Sequence, residues 1–219
     1  MCSSVAVPGD PNPADRFDAV IFDFGGVLID SPFDAFARYE EAHDLPSGFI
    51  RQVNATNHLD NAWARFERNE MSFDEFCTAF ASETAAAGAT VDAREVFAML
   101  TGTVRPVMVG ALRRLRRHMA TGLLTNNFVA PLAGTGYEDV LALFDVVVAS
   151  ADEGMRKPDP RVYTLACDRL GVVPERVVFL DDLGINLKPA RSMGMTTIKV
   201  TDVDQAVSEL EELTGLPLR

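Results

Sequence analysis

Cysteine is scarce in this chain. There are three in 219 residues (Cys2, Cys77 and Cys167), an odd number with no C-x-x-C spacing. A disulfide framework or a zinc knuckle is therefore not expected, and a reducing cytoplasm fits best. Positive charge is short as well: 20 Lys and Arg stand against 32 Asp and Glu, a formal net charge of -12. That balance argues against nucleic-acid and anionic-membrane partners, both of which reward basic surfaces. A small phosphorylated molecule remains compatible, because a site can be positive locally. No stretch approaches the roughly 18 apolar residues that span a bilayer. The opening "MCSSVAVPGDPNPADRFD" has neither the basic start nor the sustained apolar run of a secretory signal, so residues 1–16 read as a loose tail. Internal repeats and low-complexity stretches are missing too.

What the chain does have is a core. With 47% apolar and 24% charged residues it is a globular composition, long enough for one domain or for a core with a smaller insertion. Five short β-branched runs read as buried strands: "DAVIFDF" (18–24), "TGLLTNN" (121–127), "FDVVVAS" (144–150), "ERVVFLDD" (175–182) and "TTIKV" (196–200). Helical segments with clear punctuation separate the later ones. Asp159-Pro160 supplies an N-cap and a proline at the first helical position, and Gly171 ends that helix. Asn186 is placed to cap the next helix, which Gly194 stops. Asp202 with Gln205 has the capping-box spacing. Alternation of this kind predicts an α/β fold with a Rossmann-like parallel sheet covered on both faces, formed by residues 17–31 and 106–219.

Residues 32–105 break the rhythm. They hold no convincing strand and are rich in Ala, Phe, Glu and Arg. Ser72 with Glu75 makes a capping box, Met71 and Phe76 a hydrophobic staple, and Asp92 with Glu95 repeats the device between Val91 and Val96. The segment reads as an all-helical insertion placed directly after the first strand. Trp63, Phe66, Phe73, Phe76 and Phe80 are its expected core, and Trp63 could also face a ligand.

Ligands of open parallel sheets bind beyond the carboxyl ends of the strands. Those ends carry Asp23, then Thr125 and Asn126, then "SADEGMRKPDP" with Lys157, then Asp181 and Asp182. The set describes phosphoryl transfer. Three carboxylates would repel one another without a hard divalent cation, and Mg²⁺ suits carboxylate and carbonyl ligands. Lys157 adds a second positive charge, Thr125 can hold phosphoryl oxygens, and Asn126 can orient an aspartate nucleophile.

In four motifs, in order, the chain resembles the haloacid dehalogenase-like superfamily: "FDFGGV", "LLTNN", "GMRKPDP" and "FLDDLGIN". More narrowly, "FLDDLGINLKPARSMGM" is similar to the N-terminal phosphatase domain of soluble epoxide hydrolases. "GMRKPDPRVY" and "TTIKVTDVDQAVSELEELTG" are similar to that domain and to the N-terminal domain of a multidomain acyl-CoA dehydrogenase family member. The resemblance implies that Asp23 is the nucleophile and a metal ligand, and that Gly25 lends its backbone carbonyl to the metal. It implies that Thr125 and Lys157 bind the transferring group, that Asp182 ligates Mg²⁺, and that Asp181 and Asn186 support it. It also makes the helical insertion a cap that sets substrate choice. Phosphatases of this superfamily usually carry a second aspartate at the position of Gly25, as acid and base. Asp30, His58, Asp152, Glu153 or a metal-oriented water are the candidates to replace it.

Two other readings stand beside the phosphatase. In a dehalogenase Asp23 would attack carbon, where the paired acids at 181–182 have no use. In a weakly active or non-catalytic phosphate-binding module, Gly25 would mark lost chemistry, although Asp23, Lys157 and Asp182 are all retained. "RRLRRH" (113–118) reads as the solvated side of a helix whose Leu112, Leu115 and Met119 face inward. His58 reads as a polar surface residue, Cys77 and Cys167 as core. Asn127 and Phe128 follow the second motif and are expected near the pocket entrance.

Overall fold

The computed structural model describes residues 16–100, 102–127 and 136–219. Residues 1–15 and Phe128 lie outside them, so the expectations for the tail, Cys2 and Phe128 have no counterpart below. The first strand, β1 (Ala19–Phe22), leads through a Gly-Gly turn into α1 (Pro32–Ala42), α2 (Phe49–Ala55), α3 (Ala62–Glu67), α4 (Phe73–Ala86) and α5 (Ala93–Ala98). The chain continues as α6 (Pro106–Leu115), β2 (Ala120–Thr125), α7 (Glu138–Leu141), β3 (Val146–Ala149) and α8 (Ser150–Glu153). It ends as α9 (Pro160–Leu170), β4 (Val177–Asp181), α10 (Gly184–Ser192), β5 (Thr196–Lys199) and α11 (Val203–Thr214).

All five strands are parallel, in the order β3-β2-β1-β4-β5. Successive residues of a strand face opposite sides, which explains why the central β1 and β4 are apolar along their length up to Asp181. Val20, Phe22, Leu123, Val178 and Leu180 pack on one side with Met108 and Leu112 of α6 and Val207 and Leu210 of α11. Ala19, Ile21, Leu124, Val177 and Phe179 pack on the other with Tyr163 and Cys167 of α9 and Leu187 of α10. Both faces are closed.

The insertion has an apolar cluster of its own, in which Trp63 meets Phe76 at 5.1 Å and Phe66 stacks on Phe76 at 4.6 Å. Phe76 and Phe80 are fully buried. Removing a ring of that kind costs about 3–5 kcal/mol. Ser72 and Glu75 form both halves of the capping box. Asp92 and Asp202 make the forward half, accepting from Glu95 and Gln205 backbone N–H groups.

One cap differs from expectation. The helix after β4 starts at Gly184, and Asn186 lies inside it, with its amide turned back onto Asp181. Asp181 also takes the N–H of Leu183, the residue before the helix, and no side chain caps the helix itself. Cys167 is buried and Cys77 only half-buried. Arg113, Arg114, Arg116 and Arg117 are exposed over buried Leu112 and Leu115, as their spacing predicts. Among the described residues, no helix is long and apolar enough to cross a membrane.

Candidate active site

Strand register sets the site. Phe22 pairs with both Leu123 and Leu180, and the Asp23 N–H extends the ladder one step by donating to the Leu180 carbonyl at 2.8 Å. Asp23 therefore stands level with Asp181, and β2 reaches its end at Thr125 beside them.

Lys157 comes from the loop between α8 and α9 and is fully buried. Its Nζ lies 2.8 Å from Asp23 Oδ1 and 2.7 Å from Asp181 Oδ2. The amide of Asn126 holds the lysine in place by bonding both its backbone groups, at 2.8 and 3.0 Å. Sequence reasoning had aimed Asn126 at the nucleophile; its side chain is spent on Lys157 instead. Asn186 donates to both Asp181 oxygens at 3.1 Å, and Tyr163 anchors the Asn186 carbonyl at 2.7 Å. Asp181 is thus consumed in holding Lys157. Asp23 Oδ1 takes Lys157 and the Phe24 N–H. Among the described residues no donor is bonded to Oδ2.

Burial pushes the Asp23 carboxyl well above its usual range; Lys157 opposes that shift, and Asp181 and Asp182 add to it. Asp182 is pushed up to about 6, first by burial and then by the neighbouring Asp181. Burial alone would lower the Lys157 ammonium, but the Asp181 and Asp23 carboxylates outweigh it and keep the lysine charged.

The two glycines after Asp23 differ. Gly26 has φ +74°, and a Cβ there would fall 2.3 Å from Asp182 Oδ2. No other residue fits against that carboxylate. A Cβ on Gly25 would meet only the Pro32 ring, at 3.3 Å. Arg105 Nη1 fastens the turn by donating to the Gly26 carbonyl at 2.6 Å. One oxygen from each of Asp23, Asp181 and Asp182 lies within 4.8 Å of the others. Hard oxygen donors this close fit a small divalent cation, and with Asp181 engaged elsewhere, Asp23 and Asp182 are the free pair.

A cavity of about 360 Å³ opens over these groups. Asp23, Gly25, Thr125, Asn126, Lys157, Asp182 and Asn186 line its floor, and Pro32, Phe33, Phe36, Trp63, Leu183 and Ile185 make apolar walls. Asn127 does not line it. Two residues past the end of β2, its backbone is tied to Ser150 and its amide oxygen accepts from the Ala151 N–H of α8. Of the four candidates for the missing acid, His58 alone borders the cavity. Asp30 accepts the Thr103 N–H in the linker, Glu153 is doubly bonded to Arg169, and Asp152 is exposed elsewhere. Two wall residues had no sequence signal: Glu67 of α3 and Arg156, joined at 2.5 Å.

A family profile described as haloacid dehalogenase-like hydrolase matches residues 17–194. Acyl-CoA dehydrogenase family member 10 of Mus musculus is 40% identical over 92% of this chain, and bifunctional epoxide hydrolase 2 of Sus scrofa is 34% identical over 91%. The chain spans only 20% and 39% of those two proteins. A sesquiterpene phosphatase of Aspergillus oryzae is 30% identical over 91% of this chain and 97% of its own length. Among solved structures, a HAD family enzyme of Bacteroides thetaiotaomicron in complex with magnesium and inorganic phosphate superposes with a TM-score of 0.56. It is 19% identical and is matched over 84% of this chain and 93% of that one.

Proposed function

Since the chain belongs to the haloacid dehalogenase-like hydrolases, we propose that it hydrolyses a small phosphate monoester, with Mg²⁺ as cofactor and Asp23 as the nucleophile. The observation that carries this reading is the Lys157 ammonium bridging Asp23 and Asp181 at 2.8 and 2.7 Å, with Asp182 in the same cluster. A carboxylate can approach a phosphoryl dianion only where positive charge offsets both.

The division of labour follows from the bonds. Lys157 and the Phe24 N–H fix one oxygen of Asp23, leaving Oδ2 to attack phosphorus and form an aspartyl-phosphate. The Thr125 hydroxyl, on the cavity floor, donates to a phosphoryl oxygen. Asp181 and Asn186 hold Lys157 against the pull of the substrate. Asp23, Asp182 and the Gly25 carbonyl would hold Mg²⁺, which would supply charge neutralisation to the transferring group. Residues 32–105 act as a cap whose Phe33, Phe36 and Trp63 meet the rest of the substrate.

The test is a panel of phosphorylated metabolites assayed for phosphate release by metal-stripped protein, with and without Mg²⁺. Turnover that needs Mg²⁺ and vanishes in Asp23→Asn is expected. Metal-independent halide release from a 2-haloacid, with no phosphate released from any ester, would overturn the proposal.

A further inference from the structure

The cavity provides abundant means to hold a phosphoryl group and little to protonate what leaves it. Seven of its described lining residues are ionisable: Asp23, Arg51, His58, Glu67, Arg156, Lys157 and Asp182. Asp23 attacks, and Asp182 lies among the metal ligands. The Lys157 ammonium is shared between two carboxylates. Glu67 Oε2 receives the Arg156 Nε–H at 2.5 Å. Arginine does not give up its proton. His58 lines the rim as an exposed residue of the turn after α2, and among the described residues no hydrogen bond to its imidazole positions it over the floor. At position 25, two residues past the nucleophile and itself on the cavity wall, there is no side chain at all. The internal stretch 128–135, "FVAPLAGT", contributes no ionisable residue by composition.

Resting on the phosphatase reading, we infer that the substrates of this site are phosphate esters of acidic oxygens (phenols or enols), carried on a flat apolar body. In the first step an Asp23 oxygen forms a bond to phosphorus while the phosphorus–ester oxygen bond breaks, and its electron pair departs on the ester oxygen. An acidic oxygen leaves as a stable anion and takes its proton later from water. An alkyl oxygen needs that proton during bond breaking, and a positioned acid is worth about 10²–10⁴ in rate. Water then attacks the phosphorus of the aspartyl-phosphate and releases phosphate and free Asp23. The walls agree with a flat leaving group. Phe33, Phe36 and Trp63 line the cavity with aromatic rings, Phe33 and Phe36 lying edge-to-face at 5.9 Å.

The experiment compares 4-nitrophenyl, phenyl and benzyl phosphate with the Mg²⁺-loaded wild-type protein. These esters share a ring and differ in the acidity of the leaving oxygen. kcat/KM is the quantity to read, because it reports the first step even if hydrolysis of the aspartyl-phosphate limits kcat. At least a hundredfold fall from the 4-nitrophenyl to the benzyl ester is expected. In Gly25→Asp the benzyl ester should gain more than the 4-nitrophenyl ester, shrinking the gap. Equal kcat/KM across the series in the wild type would overturn the inference while leaving the phosphatase reading intact. No turnover and no burst of nitrophenol with any of the three would bring both down. The wild-type series decides even if Gly25→Asp fails to fold.

Discussion

The Arg156 guanidinium, in the loop that delivers Lys157 to the site, meets the Glu67 carboxylate of α3 at 2.5 Å. The pair ties the helical insertion to the sheet across the cavity wall, and both side chains are mostly buried, at 19% and 12% exposure. Arg156 Nη1 strengthens the tie by donating to the His58 carbonyl at 3.0 Å. Burial pushes the Glu67 carboxyl upward, and Arg156 works against that shift.

Glu67→Gln keeps the shape of the carboxylate but leaves the guanidinium without its counter-charge. A loss of about 1–3 kcal/mol is expected in urea unfolding. KM should rise more than kcat falls, since the wall is disturbed and the Lys157 bridge is not. Equal KM in variant and wild type would show that the pair has no part in shaping the cavity.

Lys157→Met removes the charge between two buried carboxylates. Stranding a buried ion costs about 3–5 kcal/mol, so the melting temperature should fall steeply at pH 7. The sign with pH follows from Asp23, whose folded pKa is raised. Stability from such a group is present at low pH and lost as pH rises through the folded pKa. The variant should therefore lose less, relative to wild type, at pH 5 than at pH 8. A pH-independent difference would refute this account.

Gly26→Ala tests the close approach to Asp182. The left-handed backbone and the 2.3 Å Cβ–oxygen distance leave no place for a methyl group. Mg²⁺ affinity measured by calorimetry should drop at least about tenfold, while far-UV circular dichroism stays near wild type. Gly25→Ala, pressing only on Pro32, is the control and should bind metal almost normally.

Mg²⁺ binding should follow the Asp182 titration. In the metal-free protein that carboxyl has a pKa of about 6. Its contribution to stability is full below the ordinary value of 3.8 and is lost as pH rises through about 6. Metal needs the ionised form, so affinity should fall about tenfold per unit below pH 6. Melting curves with and without Mg²⁺ from pH 4.5 to 8 should diverge as pH rises. Asp182→Asn should abolish the divergence.

The parallel sheet was legible because β1 and β4, buried on both sides, are apolar at every position up to the terminal Asp181, which leaves no ambiguity of period. Asp23, Thr125, Lys157, Asp181 and Asp182 were legible because each sits at a strand end or in the loop beside one. The roles of the amides were not. Asn126, Asn127 and Asn186 look alike next to a strand tip, yet one grips the Lys157 backbone, one ties β2 to α8 and one serves Asp181. Only the direction of the side chain separates them. Glu67 and Arg156 are 89 residues apart, and each alone reads as an ordinary solvated charge. A tertiary ion pair leaves no periodic trace.

The segments entering and leaving the insertion run side by side. Ile29 bridges Val104, the Asp30 N–H reaches the Thr103 carbonyl at 3.0 Å, and the Arg105 N–H reaches Leu28 at 2.8 Å. To the sheet, the whole helical excursion is a single stalk with closed ends. Grafts, exchanges or deletions made above the Asp30–Thr103 pair can remodel the helical insertion wholesale, while the Arg105 grip on the glycine turn stays below the cut and Asp23 keeps its footing.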